Sequence, residues 1–300
     1  MQINPFFSVV IPTYNCADLL NRSLLSVFAQ TYKNFEIIVV DNSSSDNTND
    51  VLRSFKDDRL SVIKVNNNGI IAYSRNKGIN SSKGQWIAFL DSDDVWSPNK
   101  LDKVYSVINL NPEIILVCHD EWSFISNVRK NYLHYGPAGK DIYERLLFKS
   151  NCLSTSAVCV NKEIAINTGG FSEKKKFITA EDYEYWIRLS RKGEFYFINE
   201  ALGEWHVHNN NDSVGNPIKH ASAITSVNEF HLDLWLKENP LDLKKVNKGK
   251  ARMWSTSARI LQTRYEFKEA VKYSKLSIQS KLFQFKAWII LVLSMLKISK

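Results

Sequence analysis

The sequence lacks most of the devices that organise a chain by anything other than a buried core. Its four cysteines, Cys16, Cys118, Cys152 and Cys159, form no CxxC pair and no Cys/His metal spacing. That excludes a zinc finger or disulfide framework and leaves reduced packing residues of a cytosolic protein. No segment has the low hydrophobicity of a disordered region, and no low-complexity linker interrupts the chain. The longest uncharged apolar run, Ala287–Leu296, is too short for a free-standing membrane span, which needs ~20 residues. The opening MQINPFFSVVIPTYN has no basic segment and no cleavage site ahead of its first strand-like run, so no secretory signal is expected.

What is present is enough for a sizeable core: 44% of the 300 residues are apolar and 12% aromatic. One large domain, or a domain with an extension, fits that length. The net charge of +8 is unevenly spread, because Lys237–Lys300 holds 15 Lys and Arg against 4 Asp and Glu. The first 236 residues carry 24 basic and 27 acidic groups, a net of −3. A near-neutral front joined to a basic tail implies chemistry in front and an anionic surface behind. Nucleic acid is not the expected partner, since the basic tail comes without RNP, zinc-finger or GxxG-type signatures.

The first third alternates unbroken apolar runs with helical spacing. Ser8–Ile11, Phe35–Val40, Leu60–Val65 and Trp86–Leu90 read as strands. Between them Leu20, Leu24, Val27 and Phe28 recur at helical intervals, and Asp46–Phe55 and Ile70–Ser81 are helix-like. Unbroken strands separated by helices indicate a parallel sheet buried on both faces. Ligands then bind beyond the carboxyl ends of the strands. Ile114–His119, Ala157–Val160 and Phe195–Ile198 read as further strands, Glu181–Arg191 as a helix, and the chain from Pro217 onward as helical. A boundary after residue 215 separates an α/β domain, 1–215, from a basic helical extension, 216–300.

Polar residues after each strand are where chemistry is expected. Asp91, Asp93 and Asp94 follow the strand Trp86–Leu90 directly. Carboxylates this close repel unless a cation or solvent screens them, so they suit a divalent ion or an exposed acidic turn. Asp41 ends the second strand and could accept hydrogen bonds from a base or ribose, whereas Asp46 reads as a helix cap. Arg75 has the forked donors that match a diphosphate, or is a solvated helix residue. Asp182, near the start of a helix, is a cap or a general base. His206 and His208 alternate in a strand-like run, Trp205–His208, that leads into Asn209–Ser213. They could share one face toward a metal or phosphate, or both lie on the surface.

Taken in order, these segments resemble the family 2 glycosyltransferases of the GT-A fold. SVVIPTYN at Ser8–Asn15, IIVVDNSSSDNT at Ile37–Thr48, NNGIIAYSRNKGI at Asn67–Ile79, GQWIAFLDSDDVW at Gly84–Trp96 and AEDYEYWIRLS at Ala180–Ser190 carry the resemblance. It implies a mostly parallel, Rossmann-like sheet flanked by helices. It also implies inverting, metal-dependent transfer of a sugar from a nucleotide diphosphate, with uridine by analogy, to a hydroxyl of a glycan or lipid-linked oligosaccharide in cell-surface polysaccharide synthesis. By that resemblance Pro12, Tyr14, Asp41 and Arg75 hold the nucleotide, and Asp93 binds manganese or magnesium. Asp91 supports the ribose side, Asp94 lines the sugar site, and Asp182 deprotonates the acceptor. His208 matches a histidine near the diphosphate, although the residues before it, Trp205-His206, stand where the family has Tyr-Arg. A related nucleotidyltransferase would need a glycine-rich turn where Pro12–Asn15 stand, and a non-catalytic carbohydrate-binding relative would be expected to lack one of these carboxylates.

The tail, KLFQFKAWIILVLSMLKISK at Lys281–Lys300, sets bulky apolar side chains between lysines. It either lies in the interface of an anionic membrane, on its cytoplasmic side, or packs as a last helix on the helical extension.

Overall fold

A computed structural model describes residues 4–136, 141–208 and 212–299. Contacts divide the chain into two units: Met1–Lys140, Cys152–Glu173 and Arg188–His208 in one, Asp141–Asn151, Lys174–Ile187 and Asn209–Lys300 in the other. The sequence suggested a single cut after residue 215; the observed division interleaves. Its cause lies in the second unit, where Leu147 packs with Leu232 and Val246 of the tail and the Tyr183 hydroxyl donates to the Leu146 carbonyl.

The first unit holds the sheet. Its strands are β1 (Phe7–Thr13), β2 (Phe35–Asp41), β3 (Leu60–Lys64), β4 (Trp86–Phe89), β5 (Val95–Trp96), β6 (Ile114–Ile125), β7 (Val128–Leu133), β8 (Val158–Asn161) and β9 (Glu194–Val207). They run in the order β3-β2-β1-β4-β8-β6-β9-β5, with β7 paired to β6. The helices α1 (Ala17–Phe28), α2 (Thr48–Ser54) and α3 (Ile71–Ser81) connect the first four strands, and α4 (Lys100–Leu110) follows β5. In the second unit lie α5 (Ile142–Phe148), most of α7 (Glu181–Leu189), α8 (Asp212–Gly215), α9 (Pro217–Glu238), α10 (Leu243–Thr263), α11 (Phe267–Ser280) and α12 (Phe285–Met295); α6 (Lys162–Asn167) belongs to the first.

The expected α/β architecture is present. Strands β1 to β4 pair in parallel. Every residue of β1 is buried, and Val9, Val10 and Ile11 supply the β-branched side chains that suit a strand covered on both faces. On α1, Leu20, Leu24 and Val27 recur at helical intervals and turn inward. Beyond β4 the sheet is mixed: β8 runs antiparallel to β4 and β6, and β9 parallel to β6. Part of the reason is local. Only Ser126 and Asn127 link β6 to β7, both left-handed at φ 50° and 60°, and a two-residue turn of this kind joins antiparallel strands only. The loop from α3 into β4 can pass close to β1 because Gly84 meets the backbone of Phe7 and Ser8. A Cβ there would stand 2.6 Å from the Ser8 nitrogen.

The four cysteines are free. Among the described residues, no helix is long and apolar enough to cross a membrane.

Candidate functional site

Parallel pairing brings the ends of β1, β2, β3 and β4 to one edge of the first unit, and the polar residues that follow them collect there. Pro12 sits within β1, opposite Val40. The Val10 carbonyl accepts from Leu90 just beyond β4, and the Thr13 carbonyl from Asn42 beyond β2. Alternation therefore aims the Pro12 nitrogen at the β4 side, two residues past the last β1–β4 pair, Val10 with Phe89. A residue without an N–H is tolerated there because the ladder has ended. Tyr14 follows, exposed, and with Asn42, Ser43, Asn66 and Gly69 lines an open cleft of about 410 Å³.

Asp41 closes β2 with its side chain fully buried. Its Oδ1 accepts from the Ser44 amide at 3.0 Å, while Oδ2 is buried with no partner among the described residues. Leaving a buried acceptor unmatched costs about 1–3 kcal/mol, so a bound donor group is the natural complement. Asp46 does what a cap does: its carboxylate accepts from the amides of Ala17 and Thr48, the first residues of α1 and α2.

The acidic segment after β4 is divided in its use. Asp91 accepts from Arg75 Nη2 at 2.7 Å, and Arg75 is itself buried with its guanidinium over the Phe171 ring. Asp93 and His208 meet, Oδ2 to Nε2, at 2.9 Å. Asp94 is 3% exposed; it accepts from the Ser156 hydroxyl at 2.6 Å and from the His206 amide at 2.9 Å. Burial, then the charges of Asp93, Glu121 and Asp91, push the Asp94 carboxyl well above the usual carboxylate range. The two histidines of β9's end thus part company. His208 reaches Asp93, whereas His206 contacts Glu204 and stacks on Phe124. The Asn209–Ser213 segment that follows lies in part outside the described residues.

Asp182 belongs to the second unit, at the start of α7, where its Oδ1 accepts from the Tyr183 amide at 2.7 Å. The turn ahead of it is strained: Thr179, a β-branched residue, sits at φ 83°, a conformation costing about 1–3 kcal/mol. Two contacts hold it there. The Thr179 amide donates to the buried Glu181 carboxylate at 2.8 Å, and His220 Nδ1 approaches the Thr179 carbonyl at 3.0 Å.

Several site residues escaped the sequence reading. Ser156 is a hub, taking the Asp91 amide on its hydroxyl and the Trp96 indole on its carbonyl. Asn76 pins the segment Phe171–Glu173 through three hydrogen bonds. On β6, the run His119-Asp120-Glu121 is buried, with Glu121 accepting from the Tyr135 hydroxyl at 3.0 Å. No local signal marks any of these; each acquires its role from partners distant in sequence.

Burial raises the Glu121 carboxyl to about 7 against hydrogen bonds from Ser154 and Tyr135. Unfolded, it ionises near 4.5. Between those values the folded chain keeps a proton that the unfolded chain releases, so stability falls as pH rises through this window and levels above it. The full effect is ~3 kcal/mol. Glu121→Gln keeps an acceptor for Tyr135 and cannot ionise. Its urea midpoint is expected to exceed wild type increasingly from pH 5 to pH 8; a constant difference across that range would refute the assignment.

Oxygen and nitrogen donors side by side at Asp93 and His208 suit manganese, and the carboxylate alone suits magnesium. Among the described residues no group of three or more acidic, His or Cys side chains gathers as a ready metal cage; an ion sharing its shell with a diphosphate needs fewer protein ligands.

The chain is similar to the UDP-Glc:alpha-D-GlcNAc-diphosphoundecaprenol beta-1,3-glucosyltransferase WfaP of Escherichia coli, 31% identical over 188 residues, covering 62% of this chain and 70% of that one. Its fold resembles that of S. aureus TarS 1-349 in complex with UDP-GlcNAc, with a TM-score of 0.68 at 16% identity over 97% of this chain and 87% of that one. Against longer TarS, the chain spans 53% of the length. The mannosyltransferase PcManGT of Pyrobaculum calidifontis, solved with GDP-Man and Mn2+, gives a TM-score of 0.60 at 16% identity, covering 98% and 81%. Both structural likenesses establish the GT-A fold. The description "Glycosyl transferase family 2" matches residues 8–165, more than half of the sequence, and with the ordered strand ends above it means that this chain is a glycosyltransferase belonging to that family.

Proposed function

We propose that the protein transfers a hexose or N-acetylhexosamine from a UDP-sugar to a hydroxyl of a glycan or lipid-linked oligosaccharide, inverting the anomeric carbon. The observation that carries this reading is the unmatched, buried Asp41 Oδ2 beside the cleft at the sheet's carboxyl edge. It supports a nucleoside, whose ribose hydroxyls or base N–H supply the missing donor. Tyr14 offers an exposed ring at the same cleft for the base to lie against. WfaP's lipid-diphosphate acceptor and TarS's UDP-GlcNAc point to the same substrate classes. Substrates of those classes support a reaction at the cytoplasmic face of a membrane.

The residues then divide the work. Pro12 and Tyr14 shape the turn that receives the base, and Asp41 fixes the nucleoside. Arg75 keeps a positive charge at the site and holds Asp91 toward the ribose. Asp94, clamped by Ser156 and His206, fixes the floor of the sugar pocket. Asp93, with His208, would hold a manganese or magnesium ion, which when bound would neutralise charge developing on the departing diphosphate. Asp182 takes the proton from the acceptor hydroxyl as its oxygen attacks the face opposite the diphosphate.

A donor screen tests the reading. The protein is incubated in manganese with UDP-, GDP- and TDP-sugars and a diphosphate-linked glycan acceptor, and nucleotide release is measured. Release from a UDP-sugar that rises with acceptor is expected. Release confined to GDP- or TDP-sugars would overturn the uridine assignment, and release from none would overturn transfer of this class.

A further inference from the structure

The last helix presents an apolar face that no described residue of its own unit covers. α12 turns Ala287, Ile290, Leu291 and Ser294 inward, and Ile290 joins Leu261 and Tyr273 in one cluster with α10 and α11. The opposite side carries Phe285, Ile289, Val292, Met295 and Leu296, between 53% and 74% exposed. Their spacing of three or four residues makes one continuous stripe. Phe283 extends it at the helix start, where the Trp288 indole donates to the Leu282 carbonyl at 3.0 Å and fixes the loop beside the helix. The helical packing expected from the sequence therefore holds for one face only.

Charge decides what the other face meets. Lys281–Lys300 contains four lysines and no acidic residue, and Lys281, Lys286 and Lys297 are exposed around the stripe. A second copy meeting this face about a two-fold axis would set lysines against lysines. The area is also small: an 11-residue helix is ~16 Å long and ~10 Å wide, far below the ~800 Å² per partner of a stable interface. The same length cannot cross a ~30 Å hydrocarbon core. An amphipathic helix with this pattern lies in the plane of a bilayer, its apolar stripe among the acyl chains and its lysines at headgroup phosphates.

We propose that this face of α12 docks the protein on an anionic phospholipid bilayer. The surface goes beyond the transfer reaction, and its test reads binding rather than turnover. Full-length protein is sedimented with phosphatidylglycerol-containing vesicles and with pure phosphatidylcholine vesicles at low and high salt. Binding to the anionic vesicles is expected, weaker by at least tenfold on neutral ones and falling with salt. The double variant Ile289→Glu, Leu296→Glu changes exposed positions only and is expected to lose at least tenfold in vesicle affinity with an unaltered melting temperature. As a second readout, brominated lipid is expected to quench tryptophan fluorescence in wild type and less in Trp288→Phe. Wild-type sedimentation that is equal on both vesicle types, a double variant that binds like wild type, or self-association abolished by the double variant in place of vesicle binding would each overturn the proposal.

Discussion

Replacing Asp182 by Asn is expected to lower the rate of sugar transfer by about 10² to 10⁴ while leaving donor affinity unchanged. Asn has the shape of Asp and can still accept from the Tyr183 amide, as Asp182 Oδ1 does at 2.7 Å. It cannot take a proton. The residues assigned to the nucleotide all belong to the first unit, whereas Asp182 belongs to the second, so the substitution leaves the donor's partners intact. The local frame explains why the position is special. A β-branched residue is held at positive φ just before the helix, and Glu181 is committed to the Thr179 amide. Strain of this kind persists only where surrounding contacts enforce it, and it gathers at functional sites. Of the two neighbouring carboxylates, Glu181 is buried and Asp182 is partly exposed, which leaves Asp182 the one that an acceptor can reach. The measurement is kcat with saturating acceptor together with donor binding by calorimetry. A variant retaining more than a tenth of wild-type kcat would remove Asp182 as the base.

How much of this was legible in the sequence follows the physics of each element. Strands β1, β2 and β4 are buried on both faces, so they are written as unbroken Val, Ile, Phe and Ala runs, and their ends could be located nearly to the residue. The acidic and polar groups beyond them were legible for the same reason: in a parallel sheet those positions share one edge. β6 was readable only to His119. Its next residues, Asp120 and Glu121, are polar, and only pairing with β7 and β9 makes them interior. Arg75 read either as a fork for a diphosphate or as a solvated helix residue; its pairing with Asp91 spans 16 positions and has no local trace. Ser156 is one hydroxyl among Ser154, Thr155 and Ser156, and nothing short of the sheet order brings it to Asp94. The two histidines were visible as an alternating pair, but alternation alone could not show that β9 ends at Val207 and sends His208 toward Asp93.

That meeting sets the second large effect. Chelation is expected to abolish transfer, added manganese or magnesium to restore it, and Asp93→Asn to lower the rate about a thousandfold. The size follows from the charge that Asp93 contributes. One unit pair at ~4 Å in an effective dielectric near 20 is worth about 4 kcal/mol, and each 1.36 kcal/mol is tenfold in rate. The site's own electrostatics point the same way. Burial, and after it the charges of Asp93, Glu121 and Asp91, drive Asp94 toward its neutral form. Arg75 answers Asp91; the rest of that negative field is what a divalent ion would balance. His208→Ala removes Asp93's neighbour without removing the carboxylate, so it is expected to raise the manganese concentration for half-maximal activity by 10- to 100-fold. The check is a manganese titration of initial rates for wild type and both variants. Transfer undiminished in excess chelator would show that the reaction runs without a metal, and the three titration curves would then be flat in manganese.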